Sequence, residues 1–294
     1  MSAIDPKLLG EILARPMDDA PRLVLADALQ EKGDARGHFI VAQCRLTERG
    51  LPRAERQTLA REVTKLTNEH GDTWAGPAAL VTSWIFRRGF VDQISGTATQ
   101  VAAVAREIFA TQPILRLSIT DVSRASLEAL DEAGAFARIS HLQLSGSLGD
   151  EGARALAQMI AKSRTSPLTT LNLGGNGIGP TGTKALVAVL AGCRSLVLTD
   201  NALGDEGVQL IAGAKTLSSL EVLFLTSNEL TDECLPALAK SSALGALTRL
   251  GLARNEGISS EGLATIAKSK KLRKLRWLEY SNEDGYQSIA VRGR

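Results

Sequence analysis

The glycines between residues 177 and 182 have the spacing of a phosphate-binding loop. Gly177, Gly179 and Gly182 form the pattern GxGxxG between a predicted strand and a predicted helix. Such a loop holds phosphate on backbone N–H groups at a helix start. However, the last two glycines have equivalents in residues 148–152 and 203–207. They therefore belong to an internal repeat, and we predict no nucleotide or other cofactor.

The histidines and cysteines are too dispersed to predict a catalytic or metal site. His38, His70 and His141 lie far apart in the chain, so their spacing assembles neither a catalytic triad nor a three-ligand metal site. The three cysteines lack any CxxC spacing, and we expect each to be buried and inert; they are Cys44, Cys193 and Cys234.

The composition is that of a soluble folded protein. The 294 residues are 44% hydrophobic and 22% charged, with 34 basic and 32 acidic side chains. We expect a cytoplasmic protein, because the sequence has neither a run of about 18 apolar residues nor a signal peptide. Only residues 268–294 are basic, with 8 basic and 3 acidic side chains. That cluster is too small for a typical nucleic-acid interface.

The clearest pattern is an internal repeat that begins near residue 114. Five segments share apolar residues at their first, fourth and sixth positions, and in four of them an asparagine follows three residues later. The pattern is LxxLxLxxN. The segments begin at Ile139, Leu168, Cys193, Leu220 and Leu247, and the asparagines are Asn176, Asn201, Asn228 and Asn255. We predict that these asparagines form a structural ladder by bonding to backbone groups where each strand ends.

Weaker copies extend the repeat in both directions. We align Ile94 with Ile119 before it and place Leu272-Leu275-Trp277 after it, which gives spacings of 25–29 residues between copies. The alternating leucines predict a short strand with one buried side. Glycine and acidic residues that follow predict a helix start. Tyr280 stands where an asparagine is expected, so we predict that residues 284–294 form a cap or a frayed tail.

The LxxLxLxxN pattern resembles the leucine-rich repeat family. The period of 25–29 residues with a helix in each repeat is similar to the ribonuclease-inhibitor subtype, and the match is best over residues 139–265. The resemblance implies an α/β fold, a curved solenoid with parallel strands on its concave face and helices on its convex face. It also implies protein binding as the usual activity.

Residues 1–72 contain helix signals and lack strand signals. Aspartate and proline residues predict helix starts near Asp5, Ala20, Asp34 and Pro52, and the fourth helix is expected to end near His70. We therefore predict an all-helical module at residues 1–72. A junction with buried aromatic residues is predicted at 73–88, and the solenoid with its C-terminal cap at 89–294.

The stretch from Asp19 to Ile40 resembles a bacterial repeat-companion domain. Arg22, Ala26-Asp27, Gly33-Asp34 and Arg36-Gly37 carry this resemblance, whereas Leu25 and Ala28 depart from it, because the family more often has aromatic residues there. Two interpretations of the polar residues Asp27, Asp34 and Arg36 remain open. They hold a binding site, or they form helix caps and ion pairs.

The strand register predicts which side chains point out of the concave face. Most are small and polar, but an apolar group is followed by basic residues: Val197, Val222 and Phe224, then Arg249, Lys274 and Arg276. An aromatic residue beside arginines is typical of an interface hot spot. We predict that a protein partner docks there with Phe224 as its anchor and acidic groups against the basic residues. The alternative is that Phe224 only packs on neighbouring strand residues.

The favoured function is a non-enzymatic interaction module, and two alternatives remain. A regulator that activates a small GTPase needs an arginine or asparagine at a rim of the solenoid, and Arg254 and Asn255 lie on such a rim. Nucleic-acid binding needs a basic cluster with strong salt dependence. The C-terminal tip offers one: Lys268, Lys270, Lys271, Arg273, Lys274 and Arg276.

Overall fold

Four helices open the structure, a computed structural model that describes residues 4–163, 168–282 and 285–291. They are α1 (Pro6–Ala14), α2 (Ala20–Gln30), α3 (Ala35–Arg45) and α4 (Arg53–Ala75). The carboxylates of Asp5 and Asp34 cap α1 and α3 by accepting hydrogen bonds from first-turn N–H groups. The predicted N-terminal helices are present, and α4 continues five residues past its predicted end.

One mixed sheet of ten strands forms the rest of the described chain, with the strands in chain order. Strands β2 to β9 pair in parallel, and an antiparallel strand closes each end, β1 on β2 and β10 on β9. The strands are β1 (Ser83–Arg87), β2 (Phe90–Thr97), β3 (Arg116–Val122), β4 (His141–Gly146), β5 (Thr170–Asn172), β6 (Ser195–Val197), β7 (Val222–Phe224), β8 (Arg249–Gly251), β9 (Trp277–Asn282) and β10 (Gly285–Ala290).

A helix connects each parallel strand to the next, as a parallel crossover requires. These helices are α5 (Ala98–Thr111), α6 (Arg124–Glu132), α7 (Gly149–Lys162), α8 (Pro180–Val187), α9 (Gly204–Gly213), α10 (Leu235–Lys240) and α11 (Ser260–Ala267). Short 3-10 turns add to them at Gly76–Leu80, Ala135–Ala137, Lys215–Leu217 and Asp232–Cys234. The predicted fold class, repeating strand–helix units with a parallel sheet behind N-terminal helices, is confirmed.

The core lies between the sheet and these helices. Leucines in register on neighbouring strands form a continuous buried row, and none of them is more than 2% exposed. The row contains Leu117, Leu142, Leu171, Leu196, Leu223, Leu250 and Leu278. Burial of one such side chain contributes roughly 2 kcal/mol to folding. Because every leucine packs on its neighbours, each repeat depends on the adjacent ones.

The alignment of Ile94 with Ile119 is wrong. In the sheet Ile94 pairs with Leu117, and Gly96 stands opposite Ile119. A glycine takes the position of the second apolar residue, so the sequence pattern slipped by two residues. The side of the sheet to which Ile94 points is unaffected, because strands alternate with a period of two.

The alignment of the last repeat is also wrong. Leu278 pairs with Leu250, and Trp277 stands opposite Arg249. The repeat is therefore Leu275-Leu278-Tyr280 rather than Leu272-Leu275-Trp277. Burial agrees with this register, since Leu278 is 0% exposed and Trp277 is 46% exposed. Strand β10 pairs along β9 and covers the end of the sheet, while residues 283–284 and 292–294 of the predicted cap lie outside the described residues.

The turn between β1 and β2 joins the helical module to the sheet. Its residues Arg88 and Gly89 both have positive φ, 52° and 81°, as a two-residue hairpin turn requires. Arg22 Nε donates to the Arg88 carbonyl at 3.1 Å, and Gly89 N–H donates to Gln43 Oε1 at 2.8 Å. A side chain at position 89 would overlap Ile40. The hairpin is thus wedged against helices α2 and α3.

Candidate protein-binding surface

Side chains that alternate with the buried leucine row form the other face of the sheet, here called the open face. It is the face predicted to be concave. Its first row contains Gln93, Arg116, His141, Thr170, Ser195, Val222, Arg249 and Trp277. Its second row contains Ser95, Ser118, Gln143, Asn172, Val197, Phe224, Gly251 and Glu279. Four of the six predicted contact residues lie in these rows.

The other two, Lys274 and Arg276, lie outside the rows. Arg276 precedes β9, and its backbone N–H donates to the Thr248 carbonyl at 2.9 Å. Lys274 lies in the exposed segment between α11 and β9. Their predicted position on the concave face is wrong because the last repeat was aligned in the wrong register. Trp277 and Glu279 take the two places.

Phe224 lies half-buried at the centre of the surface. Its ring fills the space above Gly251, where any side chain would overlap the ring atom Cδ1. The Arg249 guanidinium carbon lies 5.9 Å from the ring centroid. Nη2 of Arg249 also lies 3.7 Å from Glu279 Oε1. Arg249 is thus shared between an aromatic ring and a carboxylate of its own sheet, each a contact of about 1 kcal/mol at most.

Trp277 is the large apolar side chain that this part of the sheet exposes. It stands beside Arg249 in the first row and is 46% exposed. Val197 and Val222 are half-buried and stand in register with Phe224 and Arg249. Val197, Val222, Phe224 and Trp277 together are called the apolar end of the open face. The sequence analysis missed Trp277 because a tryptophan also fits the core position of an LxL pair.

The opposite part of the open face is charged. Asp92 lies in a bulge of β2 and accepts a hydrogen bond from Arg116 Nη1, while Arg87 Nε lies 3.3 Å from the same oxygen. His141 is next to Arg116 in the first row. Burial lowers the pKa of His141, and the charge of Arg116 lowers it further. Arg87, Arg116 and His141 are called the cationic end, and with Asp92 its net charge is +1 at neutral pH.

The predicted asparagine ladder is present in the structure. Asn201 Oδ1 accepts from the backbone N–H groups of Asn176 and Ile178 at 3.2 and 2.9 Å. Its amide donates to the carbonyls of Leu173, Leu198 and Thr199. Asn228 and Asn255 repeat this pattern one and two turns later. These buried side chains satisfy backbone groups that the strand ends leave unpaired.

Asn176 is the exception in the ladder. Its amide donates to the Leu144 and Gly174 carbonyls, but its buried Oδ1 has no hydrogen-bond partner. The turn of the preceding repeat is one residue shorter, with Ser147 directly before Leu148. The backbone there presents no N–H group at the required position, so the ladder ends at Asn176.

The phosphate-loop-like glycines hold a carboxylate of the protein itself. Asp150 Oδ1 accepts from the N–H groups of Gly179 and Gly182 at 2.7 and 2.8 Å. The same contact recurs in the next repeats, where Asp205 binds Thr231 and Asp232 binds Ser259. Each aspartate therefore caps the helix of the following repeat. The sequence analysis missed this role because the partners are 26–32 residues apart.

The rim residues considered for a GTPase regulator differ in availability. Asn255 is 6% exposed, and its side chain is fully engaged in the ladder. Arg254 is exposed and has a positive φ of 54°. Asn255 is therefore unable to reach a bound nucleotide, because that would break its backbone hydrogen bonds. The basic residues of the C-terminal tip, 268–276, are exposed.

The polar residues of the N-terminal helices have structural contacts. Asp34 caps α3, and Arg36 is only 3% exposed. The Arg36 guanidinium lies 4.9 Å from the centroid of the Phe90 ring, and burial lowers its pKa to about 10. A separate open cleft of 560 Å³ lies between the α2–α3 turn and α4. Its lining includes Lys32, Asp34, His70 and Trp74.

The remaining chemistry-bearing groups do not converge. All three cysteines are buried and free, and burial raises the pKa of Cys44 and of Cys234 to about 12 and that of Cys193 to about 11. Over residues 4–163, 168–282 and 285–291, no three His, Cys, Asp or Glu side chains are grouped as metal ligands. In the same part of the chain, no helix has both the length and the apolar character to span a bilayer.

Comparison with known families agrees with the ladder and the strand register. Residues 166–187 and 194–212 match the leucine-rich repeat family. The chain carries leucine-rich repeats. The two matched repeats contain strands β5 and β6, and the same parallel pairing continues through the neighbouring strand–helix units. No curated protein sequence matches the chain.

Several solved structures with leucine-rich repeats are similar at low identity. A chain of the Rad7–Elc1 complex from yeast matches with TM-score 0.41 and 13% identity, over 59% of this chain and 52% of that one. The TLR13–ssRNA13 complex gives 0.38 and 15%, over 64% and 29%. Internalin InlF from Listeria monocytogenes gives 0.36 and 16%, over 72% and 70%. The chain thus spans about half the length of the matched yeast chain.

Proposed function

We propose that this protein is a non-enzymatic interaction module that binds a partner protein on its open face. The observation that carries the proposal is the half-exposed Trp277 beside the Arg249–Phe224 contact. Leucine-rich repeat domains generally mediate protein interactions. Tryptophan and arginine are also the residue types most enriched among interface hot spots.

The apolar end is suited to a docked side chain. Phe224 and Arg249 are held by Gly251 and Glu279, so little side-chain entropy remains to be lost on binding. Trp277 has nearly half of its surface in water, and covering it gives a favourable hydrophobic contribution. We therefore assign the main contact to Val197, Val222, Phe224, Arg249 and Trp277. Lys274 and Arg276, off the face, are left to a peripheral role.

We also propose the finer family assignment and domain limits. The repeat length of 25–29 residues with a helix in each repeat supports the ribonuclease-inhibitor-like subtype. The motif around residues 19–40 supports a repeat-companion module, which we place at 1–72, with the junction at 73–88 and the solenoid at 89–294. A cytoplasmic location is part of the proposal and fits three free thiols.

The test is an affinity purification from a lysate of the organism that encodes the chain. Wild type is compared with a Trp277→Ala/Arg249→Ala variant by quantitative mass spectrometry. Met17→Ala/Arg154→Ala is the matched control: Met17 is 62% exposed, and Arg154 pairs with Glu151 as Arg249 pairs with Glu279. Melting curves establish that all three proteins are equally folded.

The proposal expects one or more proteins that wild type and the control retain and that the open-face variant loses at least tenfold. Hot-spot truncations commonly cost 2 kcal/mol or more, which corresponds to about thirtyfold in affinity. Equal recovery by all three proteins overturns the proposed surface.

A further inference from the structure

The two ends of the open face differ in charge. At the apolar end Arg249 is balanced by Glu279, so this end is neutral. At the cationic end Arg87 and Arg116 share the single carboxylate of Asp92. One positive charge is therefore left uncompensated there, and it faces the same surface as the apolar end. A partner complementary to both ends must itself have two chemically different ends.

We propose that the occupant of the open face is an extended segment of a partner protein, with an acidic side chain at the cationic end and a large apolar side chain at the apolar end. This inference rests on the proposed function and specifies its partner. It also revises the expectation that acidic groups meet the basic residues near Phe224, since Arg249 already contacts Glu279 and the Phe224 ring.

The cationic end has the groups that bind a carboxylate. The side chains of Arg87 and Arg116 are 50% and 29% exposed, whereas that of Asp92 is 9% exposed. The guanidinium groups thus lie between the buried carboxylate and solvent. Arginine binds a carboxylate with two parallel hydrogen bonds, and such charge-assisted bonds are roughly twice as strong as neutral ones.

The residues between the two ends favour an extended occupant. They are short polar side chains in the two rows, chiefly Gln143, Thr170, Asn172 and Ser195. An extended chain has unpaired backbone N–H and carbonyl groups, and these side chains supply donors and acceptors for them. A helix satisfies its own backbone and would present side chains to a polar surface instead. The chemistry of the middle rows therefore matches main-chain recognition.

Strand spacing sets the distance between the two recognised side chains. Four strand intervals separate Arg116 on β3 from Val222 and Phe224 on β7. At about 4.8 Å per interval the separation is roughly 19 Å, and an extended chain advances about 3.3 Å per residue. The acidic and apolar residues of the occupant are therefore expected about six positions apart, in segments that cross the strands.

The test is a selection of random 12-residue peptides on the immobilised full-length protein. Enriched peptides are expected to carry Asp or Glu five to seven positions from Trp, Phe, Leu or Met. Their affinities are then measured on Arg116→Glu and Arg87→Glu variants, with Arg124→Glu as control. Arg124 is 69% exposed on α6 and pairs with Glu128. Both open-face reversals are expected to weaken binding at least tenfold, the control less than twofold.

The other outcomes separate this inference from the proposed function. Peptides that lose binding with Trp277→Ala but lack an acidic residue overturn the inference and leave the open-face function standing. Peptides indifferent to every open-face substitution overturn both. An absence of enriched peptides overturns the extended occupant, because such a segment binds without a folded context, while a folded partner of the open face is unaffected. Arg87→Glu keeps the test decisive should Arg116→Glu unfold beside Asp92.

Discussion

The guanidinium of Arg249 lies over the ring of Phe224, with 5.9 Å between Cζ and the ring centroid. The ring in turn covers Gly251, the residue next to it on the neighbouring strand. Three adjacent strands thus build one contact: an arginine, an aromatic ring and a position without a side chain. Phe224 is therefore a fixed part of the surface, and Trp277 beside it is the more exposed aromatic group.

The contact between Phe224 and Gly251 predicts a position-specific cost for an added methyl group. Gly251→Ala is expected to lower the free energy of unfolding by about 1–3 kcal/mol, because the new Cβ overlaps the ring and displaces it. Gly213→Ala at the end of α9 is the control, since an added Cβ there meets no atom within 4 Å. It is expected to be neutral or stabilising by up to about 1 kcal/mol. Urea unfolding measures both, and an equal effect of the two substitutions would contradict the packing described.

The asparagine ladder predicts unequal costs along the array. Asn201→Ala leaves two buried N–H groups and three carbonyls without their partner and is expected to cost about 3 kcal/mol or more. Asn176→Ala is expected to cost at least about 1 kcal/mol less, because its Oδ1 accepts no hydrogen bond. Chemical unfolding of the two variants decides the order, and a larger loss for Asn176→Ala would refute the ladder as described.

Two neighbouring acidic residues at the start of α9 separate a specific contact from general helix electrostatics. Asp205 accepts from the Thr231 N–H at 2.9 Å and from its hydroxyl at 2.6 Å, whereas Glu206 is exposed. Asp205→Ala is expected to destabilise by about 1–2 kcal/mol, the usual cost of a lost helix cap. Glu206→Ala changes the same helix terminus by the same charge and is expected to cost under about 0.5 kcal/mol. Thermal unfolding in parallel checks both values; similar losses would show that Asp205 acts only through its charge.

The cationic end predicts a measurable proton affinity. The pKa of His141 is lowered below 6.5 first by burial and then by Arg116 and Arg87, while Asp92 acts in the opposite direction. Arg116→Gln is expected to raise the pKa of His141, since it removes a repulsive charge and leaves Asp92 less compensated. NMR titration of the ring protons measures this value, with Arg124→Gln as the control that leaves it unchanged. A fall in the pKa would contradict the arrangement.

The same shift has a consequence for stability. A histidine with a lowered folded-state pKa binds fewer protons when folded than when unfolded. The stability contribution of His141 is therefore retained above about pH 6.5 and decreases as the pH falls through that value. In Arg116→Gln this acid-dependent loss is expected to be smaller, although the substitution also removes the ion pair with Asp92.

The repeat itself could be predicted from the sequence because its signals are local. An LxL pair fixes which side of a strand is buried, and the following asparagine marks where the strand ends. The weakest copies were placed in the wrong register. Leu272 and Leu275 are three residues apart, as Leu275 and Leu278 are, so leucine spacing alone fits two alignments. Only the strand pairing decides that Trp277 faces outward.

Contacts between repeats could not be predicted from local patterns. Asp150 is a residue of one helix terminus by sequence, yet its carboxylate caps the helix of the next repeat. Likewise, nothing near Arg87 in the sequence indicates that it shares Asp92 with Arg116, because the bulge of β2 brings these side chains together. The anchor Phe224 was found from the strand pattern, whereas the cationic end required the folded sheet.

The most direct test of the open-face proposal is site-specific photo-crosslinking. A benzophenone amino acid replaces Trp277 in one variant and Leu80 in another; Leu80 is 68% exposed in the 3-10 turn after α4. Both variants are expressed in the native organism and irradiated in intact cells. The proposal predicts a discrete protein adduct at position 277 that is absent at position 80 and that Arg249→Ala weakens. Adducts of equal yield at both positions, or an adduct at position 80 alone, would contradict binding at the open face.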